Sequence, residues 1–301
     1  MLSRLLARSV TLLPKGVVAR IAGRYIAGED LATAVHAARH LCDEGCGITL
    51  NNLGENINSP ADAEAMRDDY LASLRAVADN KLRGGISVKL SGLGLGLDPE
   101  LCRSLLDQVL EAAREAGRFV RVDMEESRWT DATLDLVVDA RRRGHRVGTV
   151  IQARLRRSPD DIERLIKEDV PIRLVKGIYV ESEAIAFTSQ QDIRAAYGRL
   201  LSRLLEARAD IAIATHDDEL VGRALSLLQP DARAEFQQLL GVRTKLRQRL
   251  IAEGHRVRVY VPFGSDWYGY STRRLTENPR MALLITRAVF LPEREGPAGS
   301  D

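Results

Sequence analysis

Phe119-Val120-Arg121-Val122-Asp123-Met124 opens a strand–helix–strand unit that settles the architecture of this chain. A helical pattern follows over Trp129–Arg143, Gly144 closes it, and a second β-rich run comes next, Val147-Gly148-Thr149-Val150-Ile151-Gln152. Such a unit joins parallel strands through a crossover helix. The same alternation continues on both sides. Further strands are expected at Gly47–Asn51, Ile86–Leu90, Ile172–Lys176, Ile211–Thr215, Glu235–Leu240 and Arg256–Val261. Between them lie helical stretches at Ala61–Ala78, Pro99–Ala116, Pro159–Lys167, Ile193–Ala209 and Glu219–Leu228. Gly84-Gly85, Gly117 and Gly254, like Gly144, are expected to end a helix just before a strand. This pattern predicts an α/β fold, a (β/α)8 TIM-type barrel. A doubly wound open sheet is the alternative, but nothing marks a reversal of strand order. No Pro/Ser-rich linker interrupts the pattern, so residues 1–301 are read as one domain with residues 1–45 as N-terminal helices.

With 301 residues, 45% of them hydrophobic, the chain can bury a large core. Its formal net charge of +2 gives no global field that would select nucleic acid. Six of the 44 basic residues are lysine, which makes a lysine inside an apolar run informative. Cys42, Cys46 and Cys102 form neither a secreted disulfide framework nor a zinc set, so a reducing, cytoplasmic setting is expected. No apolar run reaches the roughly 18 residues that span a bilayer. Met1–Gly28 carries Arg4, Arg8, Lys15, Arg20 and Arg24 with no acid. A first helix packed on the domain is the favoured reading, ahead of a transit segment or a contact with anionic lipid.

In a barrel, polar residues at the carboxyl ends of the strands converge on one site. Here they are Asn51-Asn52, Lys89 and Ser91, Asp123, Glu125 and Glu126, Gln152 and Arg154, Arg173 and Lys176, Thr215-His216-Asp217, and Tyr260. The set mixes cations and amides with one acidic cluster and lacks the repeated His/Asp/Glu pattern of a metal centre. Lys89 points to a polar centre, to an ion pair with a neighbour such as Asp123, or to Schiff-base chemistry. Gly177, beyond Arg173 and Lys176, lets backbone approach a cofactor closely. Ser91-Gly92-Leu93-Gly94-Leu95-Gly96 has the wrong spacing for a dinucleotide site and reads as a flexible loop. His36, His40, His145 and His255 show no ligand spacing and are expected on the surface or on helices. After the last strand, Asp266 can cap a helix carrying Tyr270, Arg273, Arg274 and Glu277. Two adjacent guanidiniums suit a small carboxylate, against the alternative of a solvated surface pair.

Taken in order, these motifs resemble the proline dehydrogenase family, whose members are also called proline oxidases. The resemblance runs through Leu53-Gly54-Glu55, Ser87-Val88-Lys89-Leu90-Ser91, Asp123-Met124-Glu125-Glu126-Ser127 and Gln152-Ala153 with Leu155-Arg156-Arg157. It continues in Arg173-Leu174-Val175-Lys176-Gly177-Ile178-Tyr179, Ala214-Thr215-His216, Tyr260-Val261-Pro262-Phe263-Gly264, and Tyr270 through Arg273-Arg274, Leu275 and Glu277. It implies a distorted barrel with FAD at the carboxyl ends of the strands and a final helix over that face. Asp123 and Arg173 would then be catalytic, with Asp123 ordering the cationic cluster and Arg173 beside flavin N5. Lys89, Arg273 and Arg274 would hold the substrate carboxylate, Tyr260 and Tyr270 would wall its ring, and Glu277 would brace the arginine helix. Met124, Gln152, Lys176, Gly177, Ile178, Thr215 and His216 would contact FAD. The implied reaction is hydride transfer from L-proline to flavin, giving Δ1-pyrroline-5-carboxylate, with electrons passed to membrane quinone. A separate pyrroline-5-carboxylate dehydrogenase would be the pathway partner. The basic N-terminus would then be a peripheral contact at the inner face of the membrane.

Two positions depart from the family pattern where FAD would rest. Ile178 stands for the usual alanine, and Val180 for an aromatic or long polar residue. Tyr260 is retained, which favours proline over 4-hydroxyproline. The chain lacks the aldehyde-dehydrogenase domain of bifunctional relatives and is expected to be the monofunctional bacterial type. Two competing readings remain: a metal-free barrel lyase using Lys89 as a Schiff base with Asp123, and a catalytically dead barrel that only binds.

Overall fold

The computed structural model describes residues 22–54, 57–268 and 271. Helix α1 (Leu31–Asp43) leads into β1 (Gly47–Asn52), and strands then alternate with helices. The order is α2 (Pro60–Asp79), β2 (Gly84–Val88), α3 (Pro99–Glu115), β3 (Val120–Val122), α4 (Thr130–Arg142), β4 (Val147–Gln152) and α5 (Ser158–Lys167). It continues through β5 (Ile172–Val175), α6 (Gln190–Glu206), β6 (Ile211–Ala214), α7 (Asp218–Leu227), β7 (Ala234–Leu239), α8 (Thr244–Ala252) and β8 (Val257–Phe263). All strands are parallel and follow sequence order, and β8 pairs with β1 from Gly47↔Arg258 to Asn52↔Phe263. The expected (β/α)8 barrel is therefore closed, and the open-sheet alternative falls.

Five of these helices, α1, α2, α3, α6 and α7, start where the sequence supplies a side-chain partner for their orphan backbone donors. Ser59 and Asp62 form a reciprocal capping box on α2, while Asp98, Ser189 and Asp217 cap α3, α6 and α7. Inward faces are apolar at helical spacing, as in α3 with Cys102, Leu105, Leu106, Val109, Leu110 and Ala113. They pack on strands whose outward residues, such as Ile86, Val120, Val122, Ile172 and Ile211, are fully buried. Among the described residues, no helix is long and apolar enough to cross a membrane.

Two local expectations need correction. Gly117, Gly144 and Gly254 follow their helices with φ of 64°, 86° and 84°, but Gly84 and Gly85 lie inside β2. They are needed there because neighbouring backbones come too close for a side chain. A Cβ would sit 1.9 Å from the Ile48 carbonyl oxygen at Gly84 and 1.9 Å from that of Phe119 at Gly85. The loop Ser91–Gly96 is not loose either. Leu93 and Leu95 are buried in the core, and Ser91 donates through its backbone N–H, at 3.0 Å, and its hydroxyl to the Glu125 carboxylate.

Segment 22–28 seals the carboxyl ends of β7 and β8. Ala22, Tyr25 and Ile26 pack with Leu53, Leu239 and Val242 against Tyr260. Ala27 N–H donates to the Pro262 carbonyl at 2.8 Å, and Gly264 N–H to that of Gly28 at 3.0 Å. The N-terminal helices expected before this segment, with the basic residues Arg4, Arg8, Lys15 and Arg20, lie outside the described residues, as does the arginine helix after Ser271.

Candidate active site

Asp123 directly follows β3 and sits at the centre of the barrel mouth. One carboxylate oxygen accepts from Ser87 Oγ at 2.5 Å and Arg173 Nη1 at 2.7 Å. The other accepts from Tyr260 Oη at 2.9 Å and lies 3.7 Å from Lys89 Nζ. Lys89 Nζ also donates to Asn51 Oδ1 at 3.1 Å. These residues come from β1, β2, β3, β5 and β8, so their contacts cross the barrel interior. Asp123, Lys89 and Arg173 are each at most 9% exposed. Burial by itself would raise the Asp123 pKa, but Arg173, Lys89 and the Ser87 and Tyr260 hydroxyls outweigh it and hold the carboxyl below its ordinary value. Among the described residues, two cations meet one carboxylate in this buried cluster, an excess of positive charge that suits an anionic ligand. The Arg173 guanidinium also lies 5.3 Å from the centre of the Tyr260 ring.

Below this layer the interior stays charged. Arg121 donates to the Thr149 and Pro171 carbonyls at 2.8 and 2.6 Å. Burial, then the nearby Arg173, lower its pKa, yet a guanidinium stays charged at neutral pH. Arg258 makes a two-point contact with Glu235 at 2.7 and 3.0 Å.

From this cluster a cleft of about 980 Å³ runs along the ends of β4, β5 and β6. Gly177 has φ +97°, and a Cβ there would lie 2.7 Å from Arg154 Cδ and 2.9 Å from Gln152 Oε1, so only glycine fits. Gln152 Nε2 donates to the Glu125 carbonyl at 2.8 Å, which leaves Oε1 as its acceptor on the Gly177 side. His216 Nε2 accepts from Leu239 N–H at 3.2 Å, so in the neutral ring the proton is on Nδ1. At the far end, Lys176 Nζ and Arg194 Nε share one oxygen of Asp217 at 2.7 and 2.8 Å. Burial pushes the Asp217 carboxyl up, but Arg194 and Lys176 prevail and lower it.

The loop after β5 forms one wall and is stapled across the end of β4. Ser127 N–H and Oγ each donate to Glu181 at 2.8 Å, Arg154 Nη1 donates to the Tyr179 carbonyl, and Leu155 bridges Ala186. Val180 on this wall is 82% exposed and lines the cleft.

Eleven of the expected site residues therefore face one cavity: Lys89, Asp123, Met124, Gln152, Arg173, Lys176, Gly177, Ile178, Thr215, His216 and Tyr260. Tyr270, Arg273, Arg274 and Glu277 lie outside the described residues. The ion pair considered for Lys89 does form, and it does so within the cleft. His36 and His40 are not part of the site. They sit one helical turn apart on the exposed face of α1, with Nε2 atoms 3.2 Å apart, so their spacing does allow them to meet. His145 is buried rather than on the surface. Sequence reasoning passed over Gln237, Leu239, Arg194 and Arg243, which also line the cleft. Gln237-Gln238 between Phe236 and Leu239 in β7 was the available signal. Among the described residues, no group of three His, Cys, Asp or Glu side chains could hold a metal.

Known proteins resemble this chain in sequence and fold. The family model described as proline dehydrogenase matches residues 34–285. Proline dehydrogenase 2 of Bacillus subtilis strain 168 is 36% identical over 262 residues, 86% of this chain and 86% of that protein. Proline dehydrogenase of Deinococcus radiodurans is 34% identical over 279 residues, 90% of each. Among solved structures, proline utilization A from Bdellovibrio bacteriovorus, inactivated by N-propargylglycine, superposes with a TM-score of 0.78 at 23% identity. That alignment covers 91% of this chain and 34% of the larger one, and it speaks for the fold. A closed barrel with a buried cationic cluster at its mouth, matched over most of its length to proteins of one kind, belongs to the proline dehydrogenase family.

Proposed function

We propose that this chain oxidises L-proline to Δ1-pyrroline-5-carboxylate with FAD as its cofactor. The observation that carries the reading is the excess positive charge of Lys89 and Arg173 over Asp123, buried at one end of a cleft whose other end has further cations. An amino acid carboxylate neutralises that excess, and family membership supplies the choice of proline.

The cleft residues fit a flavin. Arg173 Nη2 is buried and has no protein partner among the described residues, so it is a donor without an acceptor. Gln152 contributes an acceptor, Gly177 a backbone with no Cβ, and Lys176 and Arg194 positive charge for phosphates. A bound flavin supplies the two-electron acceptor. The protein's own residues bind and orient. Lys89, with Arg273 and Arg274 as the resemblance assigns them, holds the carboxylate, and Tyr260 and Tyr270 flank the ring. Asp123, kept ionised by its cations, is too weak a base to take the proton from the substrate nitrogen and serves to fix Lys89, Arg173 and Tyr260. Holding the substrate in one orientation is the main contribution of such a clamp.

Electrons then pass to membrane quinone, a separate dehydrogenase consumes the product, and the enzyme works in the cytoplasm as one domain whose basic N-terminus meets the membrane surface. The decisive experiment is an anaerobic absorbance spectrum of purified, FAD-supplemented protein. Flavin bands that bleach on adding L-proline are expected. Folded protein that binds FAD without bleaching overturns the reading. Trapping of a carbonyl substrate on Lys89 by borohydride would instead support the lyase. Replacing Arg273 or Arg274 by alanine is expected to weaken proline binding by about 2–5 kcal/mol. Unchanged Michaelis constants would remove the carboxylate clamp.

A further inference from the structure

Arg173 is held at two of its three guanidinium nitrogens. Nη1 donates to Asp123 at 2.7 Å, and Nε donates to Gln237 Oε1 at 2.6 Å from the opposite side of the barrel. One contact fixes a position, whereas two on different nitrogens also fix the plane and with it the direction of Nη2. Gln237 can accept from Arg173 only if its amide is turned one way, and a second contact sets that turn. Gln237 Nε2 donates to Glu235 Oε1 at 2.6 Å. The two residues are two apart on β7, so their side chains share the interior face. Flipping the amide would set its NH2 against the guanidinium donors and its oxygen against the carboxylate, losing both bonds.

Glu235 is itself anchored. Arg258 contacts both of its oxygens, and Arg258 Nη1 donates to the Ile48 carbonyl of β1 at 2.9 Å. Burial raises the Glu235 pKa, but Arg258 and then Gln237 outweigh it, so the carboxylate remains a pure acceptor. A directed series therefore runs from β1 through β8 and β7 to Arg173 on β5, every donor and acceptor role fixed by the next. Gln237 and Arg173 are 5% and 6% exposed, which keeps water from competing for these bonds.

We propose that Gln237 is a positioning residue, oriented by Glu235, that sets the guanidinium plane of Arg173 and so aims Nη2 at the reacting groups. The proposal rests on the reading of Arg173 given above. A guanidinium free to swing about Asp123 alone misdirects Nη2, and displacements near 1 Å at such sites cost about 100-fold in rate.

The test uses FAD-loaded full-length protein in four forms: Gln237→Leu, Gln237→Glu, the exchanged pair Gln237→Glu with Glu235→Gln, and Arg173→Lys. Q237L is expected to lower kcat for proline at least tenfold with KM changed less than threefold, and to make the bound flavin harder to reduce. Q237E alone sets two carboxylates against each other and is expected to be equally poor. The exchanged pair keeps an acceptor on Arg173 Nε and a donor–acceptor contact between positions 237 and 235, gives up one of the two Arg258 contacts, and is expected to recover part of the rate lost in Q237E, which a merely space-filling Gln237 would not require. A second readout needs no turnover: the Arg173 Nε–H proton, followed by 15N NMR, exchanges at least tenfold faster in Q237L than in the native protein. Native kcat and native exchange in Q237L, or an exchanged pair no better than Q237E, overturn the positioning role. If instead R173K keeps full activity while Nε–H protection still depends on Gln237, the role given to Arg173 fails and the positioning contact stands.

Discussion

At Asp123, three hydrogen-bond donors and the Lys89 ammonium, drawn from β2, β5 and β8, meet on one carboxylate, and losing it would leave Lys89 and Arg173 buried without their shared anion. Asp123→Asn is expected to cost about 3–5 kcal/mol of stability at neutral pH, checked by denaturant unfolding. The pH dependence has a definite sign. The folded carboxyl lies below its ordinary 3.8, so the native state takes up the proton less readily than the unfolded chain. Its stabilisation is therefore complete above about pH 4 and fades as pH falls through the folded value. The stability gap between native protein and D123N should be flat from neutrality down to about pH 4 and narrow below it. A gap that narrowed as pH rose would contradict the assignment. Single residues were legible where their chemistry was out of place, as with Lys89 in an apolar run. Gln237 was not, because an amide becomes informative only once the partner that fixes its orientation is known.

Strands and most helices could be read to within a few residues from a cap, a proline or a change of periodicity, whereas α8, which has no side-chain cap, was missed. The error at Gly84-Gly85 has a physical origin. A glycine between helix and strand looks the same whether it turns the chain or makes room for a neighbouring strand, and only strand packing tells the two apart. Gly84→Ala is accordingly expected to destabilise by about 3 kcal/mol or more, since the Ile48 carbonyl it meets belongs to the paired backbone of β1. Gly177→Ala belongs to a different class. It adds about 1–3 kcal/mol of strain at φ +97° and a contact with Arg154, both inside the cleft. The expected result is purified protein with less than half the native flavin content and a thermal midpoint without cofactor lowered by about 2–10 °C. Equal flavin content would remove Gly177 from the cofactor site.

The whole molecule depends on closing β8 onto β1, a contact between the two ends of the barrel sequence, and segment 22–28 fastens that seam from above. Tyr25 is fully buried there, and Tyr25→Ala is expected to cost about 3–5 kcal/mol. The loss should appear as a lower denaturant midpoint, together with a raised KM for proline, because Leu239 and Tyr260 share its cluster. The barrel itself was legible from the count and order of its strands. The seam was not, because a basic segment without acids says nothing about where it packs.

The stapled loop after β5 has a consequence for traffic through the cleft. A wall pinned by Glu181 to Ser127, by Arg154 to Tyr179 and by Leu155 to Ala186 moves with the barrel rather than against it. It is a fixed jamb on the β5 side of the cleft. Amide hydrogens of residues 177–187 should therefore exchange slowly with or without ligand, and Glu181→Gln should speed them without altering exchange in the strands. Molecules arriving along this side meet a surface already in place, so what they gain there comes from fit to a standing wall and not from a loop folding over them.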